Sequence, residues 1–545
     1  MSANIMRAGD IPQAGPTANE KMLFYASFLT LIAAGIGFSV RGFILGDWGR
    51  QFGFTQGELG TITGGGLVGF GITIIFFSFF ADRIGYAPLM VIAFLLHVSS
   101  AVVTFAATPV YASYGKEGAF WCLNIGMWLF AFGNGTCEAV INPLTASLYP
   151  KNKTHWLNIL HAGWPAGLVL GALLGVAFNL IGDIRWEIKL GTFLIPTLLY
   201  GILMFGRKFP RSEASAAGVS VGTMLLEFAS PVLLALIVLQ MMVGYVELGT
   251  DSWIINITET ILKNKNEALI AFIWTNVLMT ALRFFAGPIV HKISPLGLLF
   301  LSAVLGTSGL LLLGQSDTAV MWLLAVTVYG IGKTFYWPTM LGVVSEQFPR
   351  GGAITLGVVG GLGMLSAGLL GGPGIGYKQD LAAMQYLTEV NKDQPTYDHY
   401  KAEAKSLYGL TPSVGGLDNS KVGTLLGKPG ENNGMGKMLE QDKENLRKAG
   451  RDPAEVKSLV DLDKWWVDVG RPNASQDEKP LEAATLYAGK KALTWTAAVP
   501  AMMAVGYLLL ILVFKLKGGY TAQVLTGHAA QDEKFTGGTE GPGEA

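Results

Sequence analysis

Long apolar runs separated by short polar joints dominate the chain, and most of the runs share one length. A helix that crosses a bilayer needs about 20 mostly apolar residues. By that ruler the sequence predicts six spans before residue 207, at 22–46, 58–81, 87–108, 119–148, 157–182 and 187–206. Six more follow residue 230, at 231–256, 267–290, 295–314, 318–347, 352–376 and 490–516. Between the sets lies a polar stretch with Pro210, Arg211 and the small-residue run Ser212 to Gly218, which reads as a linker. The expected fold class is an all-α membrane protein with about twelve transmembrane helices in two six-helix pseudo-repeat bundles. The expected organisation is an N-terminal bundle over 1–206, a cytoplasmic linker over 207–230 and helices 7–11 of the second bundle over 231–376. An extracytoplasmic insertion over 377–489 then precedes helix 12 and a cytoplasmic tail over 490–545.

The insertion breaks the pattern. It is polar throughout, with a helix start at Asp452-Pro-Ala-Glu455 and a loop at Pro429 to Gly434. A solvated helical cap is the plainer reading, and a lid or docking surface the functional one.

Composition agrees with the spans. The 545 residues are 51% hydrophobic and only 14% charged, where a soluble chain carries about 25% charged residues. The 71 glycines let helices approach closely in lipid. A formal net charge of zero gives no basic footprint for nucleic acid. The apolar stretch from Met22 to Leu45 is too long for a signal core and reads as an uncleaved first span. Arg83, Lys151, Lys153, Arg207, Lys208, Arg211, Lys292 and Arg350 fall on one side of the spans. The other side has fewer cations, set among Asp47, Glu58, Glu117, Asp183, Glu187, Glu259 and Asp317. That asymmetry predicts a cell (cytoplasmic, inner) membrane location with both termini inside.

Two motifs sharpen the class. Gly133-Asn-Gly135, Asn142-Pro143 and Tyr149-Pro-Lys151 around span 4 are echoed by Gly330-Ile-Gly332, Trp337-Pro338 and Phe348-Pro-Arg350 around span 10. Two parallel six-span halves place a substrate site near the midplane between them. After span 2 comes Ser78-Phe-Phe-Ala-Asp82-Arg83-Ile-Gly85, which resembles the loop 2–3 signature of the major facilitator superfamily. That resemblance implies that Asp82 and Arg83 latch one half-bundle to the other on the cytoplasmic side.

Within the superfamily the chain is similar to the fucose:proton symporter family of sugar carriers. The similarity rests on Glu138-Ala-Val-Ile-Asn142-Pro143, Leu157-Asn-Ile-Leu-His161-Ala and Gly244-Tyr-Val-Glu247-Leu-Gly-Thr-Asp-Ser-Trp253. It implies that Glu138 occupies the place of a membrane carboxylate tied to proton coupling. Where the fucose carrier keeps a second carboxylate in span 1, this chain has Arg41-Gly42.

The residues also speak for themselves. An ionisable group inside a span is costly and faces a cavity or a partner. Arg41, Glu138, Glu247, Asp251, Arg283 and Lys333 are such groups. Arg41 and Glu138 give the first half one cation and one anion, and Glu247 and Lys333 give the second half the same. Arg41 and Glu138 are expected to pair in at least one conformation. Glu247 and Asp251, four residues apart, are expected on one helix face. Arg283, near a helix end, reads as structural and Asp251 as interfacial.

Asn142, His161, Trp164, Trp253, Asn276, Tyr336 and Trp337, with Trp274 beside them, offer the flat apolar faces and the amide and imidazole groups that a sugar requires. Six scattered histidines and two cysteines suggest no metal site, and no phosphate-binding loop or cofactor motif is present. The expected function is secondary transport of a small polar solute, most of all a sugar, driven by a proton or sodium gradient or by the solute's own gradient. A carrier of an organic anion, nucleoside or drug is the first alternative, and a transporter-like membrane sensor the second. No convergent nucleophile and base points to an enzyme.

Overall fold

The structure is a computed structural model that describes residues 4–7, 16–54, 56–182, 184–263, 265–427, 434–448, 450 and 452–526. The loop expected at Pro429 to Asn433, and Asp183, lie outside the described residues. Ten of the helices are long and apolar enough to cross a membrane. The helices at Ala107–Leu148 and Lys265–Arg283 pack among them and complete the twelve as spans 4 and 8.

Proline decides where the spans break. It has no N–H, so the carbonyl four residues earlier loses its helical partner. Span 5 is broken between Lys153–His161 and Gly163–Ile181, one turn before Pro165. Span 10 is broken between Ala319–Lys333 and Tyr336–Gln347, one turn before Pro338. Span 12 breaks in the same way at Ala497 before Pro500.

Two other interruptions are π-helical turns, Tyr245–Gly249 in span 7 and Ala367–Gly371 in span 11. They pack together so closely that a β-carbon on Gly249 would sit 2.6 Å from the Gly371 Cα. Glycine is needed there because two backbones occupy the space of two side chains. Spans 2 and 11 approach in the same way: a β-carbon on Gly361 would sit 2.8 Å from the Gly71 carbonyl oxygen. The first contact lies within the second half; the approach of spans 2 and 11, with span 5 against span 8, forms the seam between the halves.

The polar insertion is not a separate loop. The helix of span 11 runs on through Gly372–Gln385 and Tyr386–Val390, and that of span 12 begins at Lys457 and passes through a π-helical turn at Trp466–Gly470. Together they raise a cap with its own core of Tyr400, Leu425, Leu439, Leu459 and Leu481. Asp452 accepts from Ala454 N at 2.9 Å and opens the turn ahead of helix Lys457–Trp465, as its motif predicts. Lys263 at the end of span 7 binds Glu482 at 2.5 Å, and Lys490 binds Asp317. The cap is therefore fastened to the second half, while its helix Lys437–Lys448 reaches across to pack on span 1 of the first half.

The opposite face carries the termini. Strand β1 (Asn4–Arg7) pairs antiparallel with strand β2 (Gln523–Thr526). The linker contains short helices Glu213–Ala216 and Val221–Leu226, started by the hydroxyls of Ser212 and Ser220.

Candidate functional site

Buried polar residues gather where the proline breaks and π-helical turns meet the seam. In the first half, Asn142 donates to Glu138 Oε2 at 2.6 Å and to the Glu138 carbonyl at 3.1 Å. Its own Oδ1 lies 2.9 Å from His161 Nε2. An amide oxygen only accepts, so Nε2 carries the hydrogen. The other ring nitrogen, Nδ1, faces Glu138 Oε1 at 4.0 Å. Among the described residues no lysine or arginine pairs with Glu138.

The expected Arg41–Glu138 pair is not made. Arg41 donates to the Gly37 carbonyl at 3.1 Å and to Ser100 Oγ at 2.9 Å. Its guanidinium lies 3.8 Å from the Phe130 ring centre and 4.8 Å from that of Phe193. Cation–π attraction to two rings holds the charge inside the first bundle; Phe130 and Glu138 share span 4 but lie about 12 Å apart along it.

In the second half the partners are also redistributed. Lys333 binds Asp251 at 2.5 Å, so Asp251 is not merely interfacial. Glu247 lies in the π-helical turn and faces Arg283 at 3.3 Å. A π-helical turn carries more than 3.6 residues, so the four-residue spacing of Glu247 and Asp251 no longer puts them on one partner. Arg283 is a central residue: it is 2% exposed and donates to Thr334 O at 2.8 Å and to His161 O at 2.6 Å. It joins span 8 to span 10 within its own half and to span 5 of the other half.

The predicted aromatic set divides. Trp337 is buried in span 10 against Gly363, beside Gln240 of span 7. Gln240 is fully buried, and neither of its amide atoms has a hydrogen-bond partner among the described residues. Asn276 Oδ1 and Glu247 Oε2 are likewise buried and unpartnered. Trp164 packs edge-on to Phe38, with ring centres 5.1 Å apart. Tyr336 spends its hydroxyl on the Ser302 carbonyl at 3.0 Å, inside the second bundle. Trp253 donates to the Gly372 carbonyl at 2.8 Å, nearer the cap. Trp274 is 40% exposed on the outer surface and bonds Thr327 at 2.9 Å, which removes it from the set. Sequence reasoning misses Gln240, although an amide in the apolar run from Pro231 to Gly244 is the signal that marks it.

The termini face is closed by bonds between the halves. Glu346 of span 10 accepts from Thr154 N at 3.0 Å and Thr154 Oγ1 at 2.6 Å, at the first turn of span 5. Asp82 of span 2 accepts from Ala353 N at 3.1 Å, at the first turn of span 11. Each acid sits at the positive end of a helix dipole from the other half. Asn158 donates to Thr339 Oγ1 at 3.1 Å and Lys153 to Ser345 O at 3.1 Å, again across the seam. Of the two residues expected to latch the halves, Asp82 is held by a helix terminus of the other half and Arg83 is exposed.

Residues 27–372 match the Major Facilitator Superfamily, and the chain belongs to that family of membrane transporters of small solutes. A cis,cis-muconate transport protein of Acinetobacter baylyi is 26% identical over 186 residues, 34% of this chain. The match spans 42% of that relative's length. The fold is similar to the proton:xylose symporter XylE bound to 6-bromo-6-deoxy-D-glucose, with a TM-score of 0.57 at 15% identity over 68% of this chain and 90% of that one. It is similar to FucP in the outward conformation, with a TM-score of 0.55 at 15% identity over 67% and 93%. A bacterial homologue of the human lysosomal transporter Spinster, inward-facing and occupied, gives 0.56 at 16% identity over 93% and 99%.

Proposed function

We propose that this transporter carries a small neutral hydroxylated solute, a sugar, by alternating access, with a proton borne by Glu138 and His161. The observation that carries the sugar reading is the Gln240 amide, fully buried beside Trp337 with its donor and acceptor both unpartnered. A buried polar group without a partner costs about 1–3 kcal/mol, so its retention points to a ligand that satisfies it. An amide against an indole suits a ring with hydroxyls on its edge and C–H groups on its face. Glu247 Oε2 and Asn276 Oδ1, on spans 7 and 8, are further buried acceptors without a partner among the described residues.

The central charges support a neutral solute. Arg283 is held by Glu247 and two carbonyls, Lys333 by Asp251, and Arg41 by the Phe130 and Phe193 rings. None of these cations is left for an anion. Glu138 is the acid without its own cation, and a proton shared with His161 Nδ1 neutralises it; sodium is the alternative coupling ion. The Lys/Arg asymmetry puts the termini face in the cytoplasm of a cell inner membrane, with the cap outside. The closed termini face then makes this a cytoplasm-closed state.

A second reading, transport of a carboxylate, is favoured by the muconate relative. Thermal unfolding of the purified protein against sugars, nucleosides and organic acids separates the two. A ligand present at 100 times its Kd stabilises by about 2.7 kcal/mol. A sugar is expected to raise the Tm, and the shift to vanish in Gln240→Ala and Trp337→Ala while both variants remain folded. Stabilisation by muconate and by no sugar overturns the sugar reading and leaves the transporter.

A further inference from the structure

We propose that Arg283 is a positioning residue that ties the two halves together at their proline breaks, and that this tie opens when the halves rock. The inference rests on the alternating-access reading and not on the identity of the solute. Pro165 has no N–H for the carbonyl of His161, and Pro338 has none for the carbonyl of Thr334. Those two carbonyls, one in each half, are the ones Arg283 binds, through Nη1 at 2.6 Å and Nε at 2.8 Å. Its remaining arm, Nη2, faces Glu247 Oε1 at 3.3 Å. A planar guanidinium presents donors in three directions at once, which an ammonium cannot do from one position.

The tied residues belong to the charged networks. The ring of His161 is bonded to Asn142, which holds Glu138. Thr334 follows Lys333, which holds Asp251. A shift of either broken helix therefore moves both a carbonyl on Arg283 and a charged partner near the centre. A buried carbonyl freed by proline must find some donor. Within one half a neighbouring hydroxyl would serve; here a single side chain from span 8 serves both halves and makes their separation cost a charge-assisted bond.

The test needs no solute, so failure of the sugar reading leaves it intact. Thr339, fully buried at the seam, is replaced by Cys in a Cys122→Ser background; Cys137 is itself buried. The rate at which a membrane-impermeant maleimide modifies that cysteine from the termini face reports the open population. Losing one charge-assisted bond across the seam is expected to raise the rate about tenfold in Arg283→Ala and in Arg283→Lys. If Arg283→Ala does not fold, Arg283→Lys decides alone, since one ammonium cannot hold both carbonyls and Glu247. A wild-type rate in the lysine variant overturns the proposal. The triple variant Pro165→Ala/Pro338→Ala/Arg283→Ala gives each carbonyl a helical N–H again. It still leaves Glu247 without its cation, so its Tm is expected to rise above that of Arg283→Ala without reaching wild type, while the raised rate persists. A triple variant with a wild-type rate shows that Arg283 only satisfied two carbonyls, and one with a Tm no higher than that of Arg283→Ala shows that those carbonyls are not what it satisfies; either result overturns the tie.

Discussion

Replacing Glu346 by Ala tests how the termini face is held shut. The carboxylate is 4% exposed and accepts three hydrogen bonds: two from Thr154, at 3.0 and 2.6 Å, and one from Tyr520 at 2.6 Å. Only the two from Thr154 join the halves. A hydrogen bond to a charged group contributes about 1.5–3 kcal/mol. The lower figure applies, because water replaces the partner once the face opens. Two such bonds give about 3 kcal/mol, or roughly a 100-fold rise in the open-to-closed ratio at about 1.4 kcal/mol per decade. The helix Lys153–His161 also loses the anion at its first turn, which adds to the effect. Maleimide modification of Thr339→Cys from the termini face is the assay. Tyr520→Phe removes only the bond to the tail and serves as control, with an expected change below about threefold. A Glu346→Ala rate within about threefold of wild type, or equal effects of the two variants, would refute the reasoning.

Two further outcomes follow from the parts outside the membrane. Asp477, fully buried in the cap, lies 2.9 Å from the Thr396 hydroxyl and 2.8 Å from His399 Nδ1; Asp477→Ala removes both contacts, leaves Thr396 only Asp393, and is expected to loosen the cap by about 2 kcal/mol, read as faster limited proteolysis within 391–470 while the membrane helices stay protected. Truncation after Gly519 removes β2 and the bond from Gln347 to Thr521 O at 2.9 Å, together with the contact from Lys153 of the first half to Gln523 O at 3.4 Å; it is expected to raise Thr339→Cys modification by about threefold, and an unchanged rate would show that the tail does not hold the face shut.

Hydropathy makes the spans, the two halves and the family legible, because a bilayer fixes the length of an apolar helix whatever its neighbours. It leaves open which way each helix faces. It also leaves open the depth at which residues on different helices meet: Arg41 and Glu138 both lie inside spans, yet Arg41 meets span 4 at Phe130, eight residues from Glu138. The π-helical turn at Tyr245–Gly249 has no strong sequence mark, and it sends Glu247 to Arg283 while Asp251 takes Lys333. Arg283 is hidden for another reason: its main partners are backbone carbonyls, which no side-chain pairing rule finds. Pro165 and Pro338 are the legible signal, since each frees a carbonyl that needs a donor. Polarity marks where lipid ends and not where a helix ends, so the sequence does not show that spans 11 and 12 continue as helix to Val390 and from Lys457.

The central claim is proton-coupled transport through Glu138, and the most direct measurement of it is flux in sealed proteoliposomes. The probe is the radiolabelled sugar that most raises the Tm of the purified protein. Wild type is expected to concentrate it when the side it enters from is made acidic, and to exchange it in counterflow without a gradient. Glutamine is neutral at every pH, so Glu138→Gln imitates the protonated acid but cannot cycle. The variant is expected to keep counterflow and lose all gradient-driven accumulation. If it still concentrates the sugar under a pH gradient, Glu138 is not the coupling group and the account of the site is wrong.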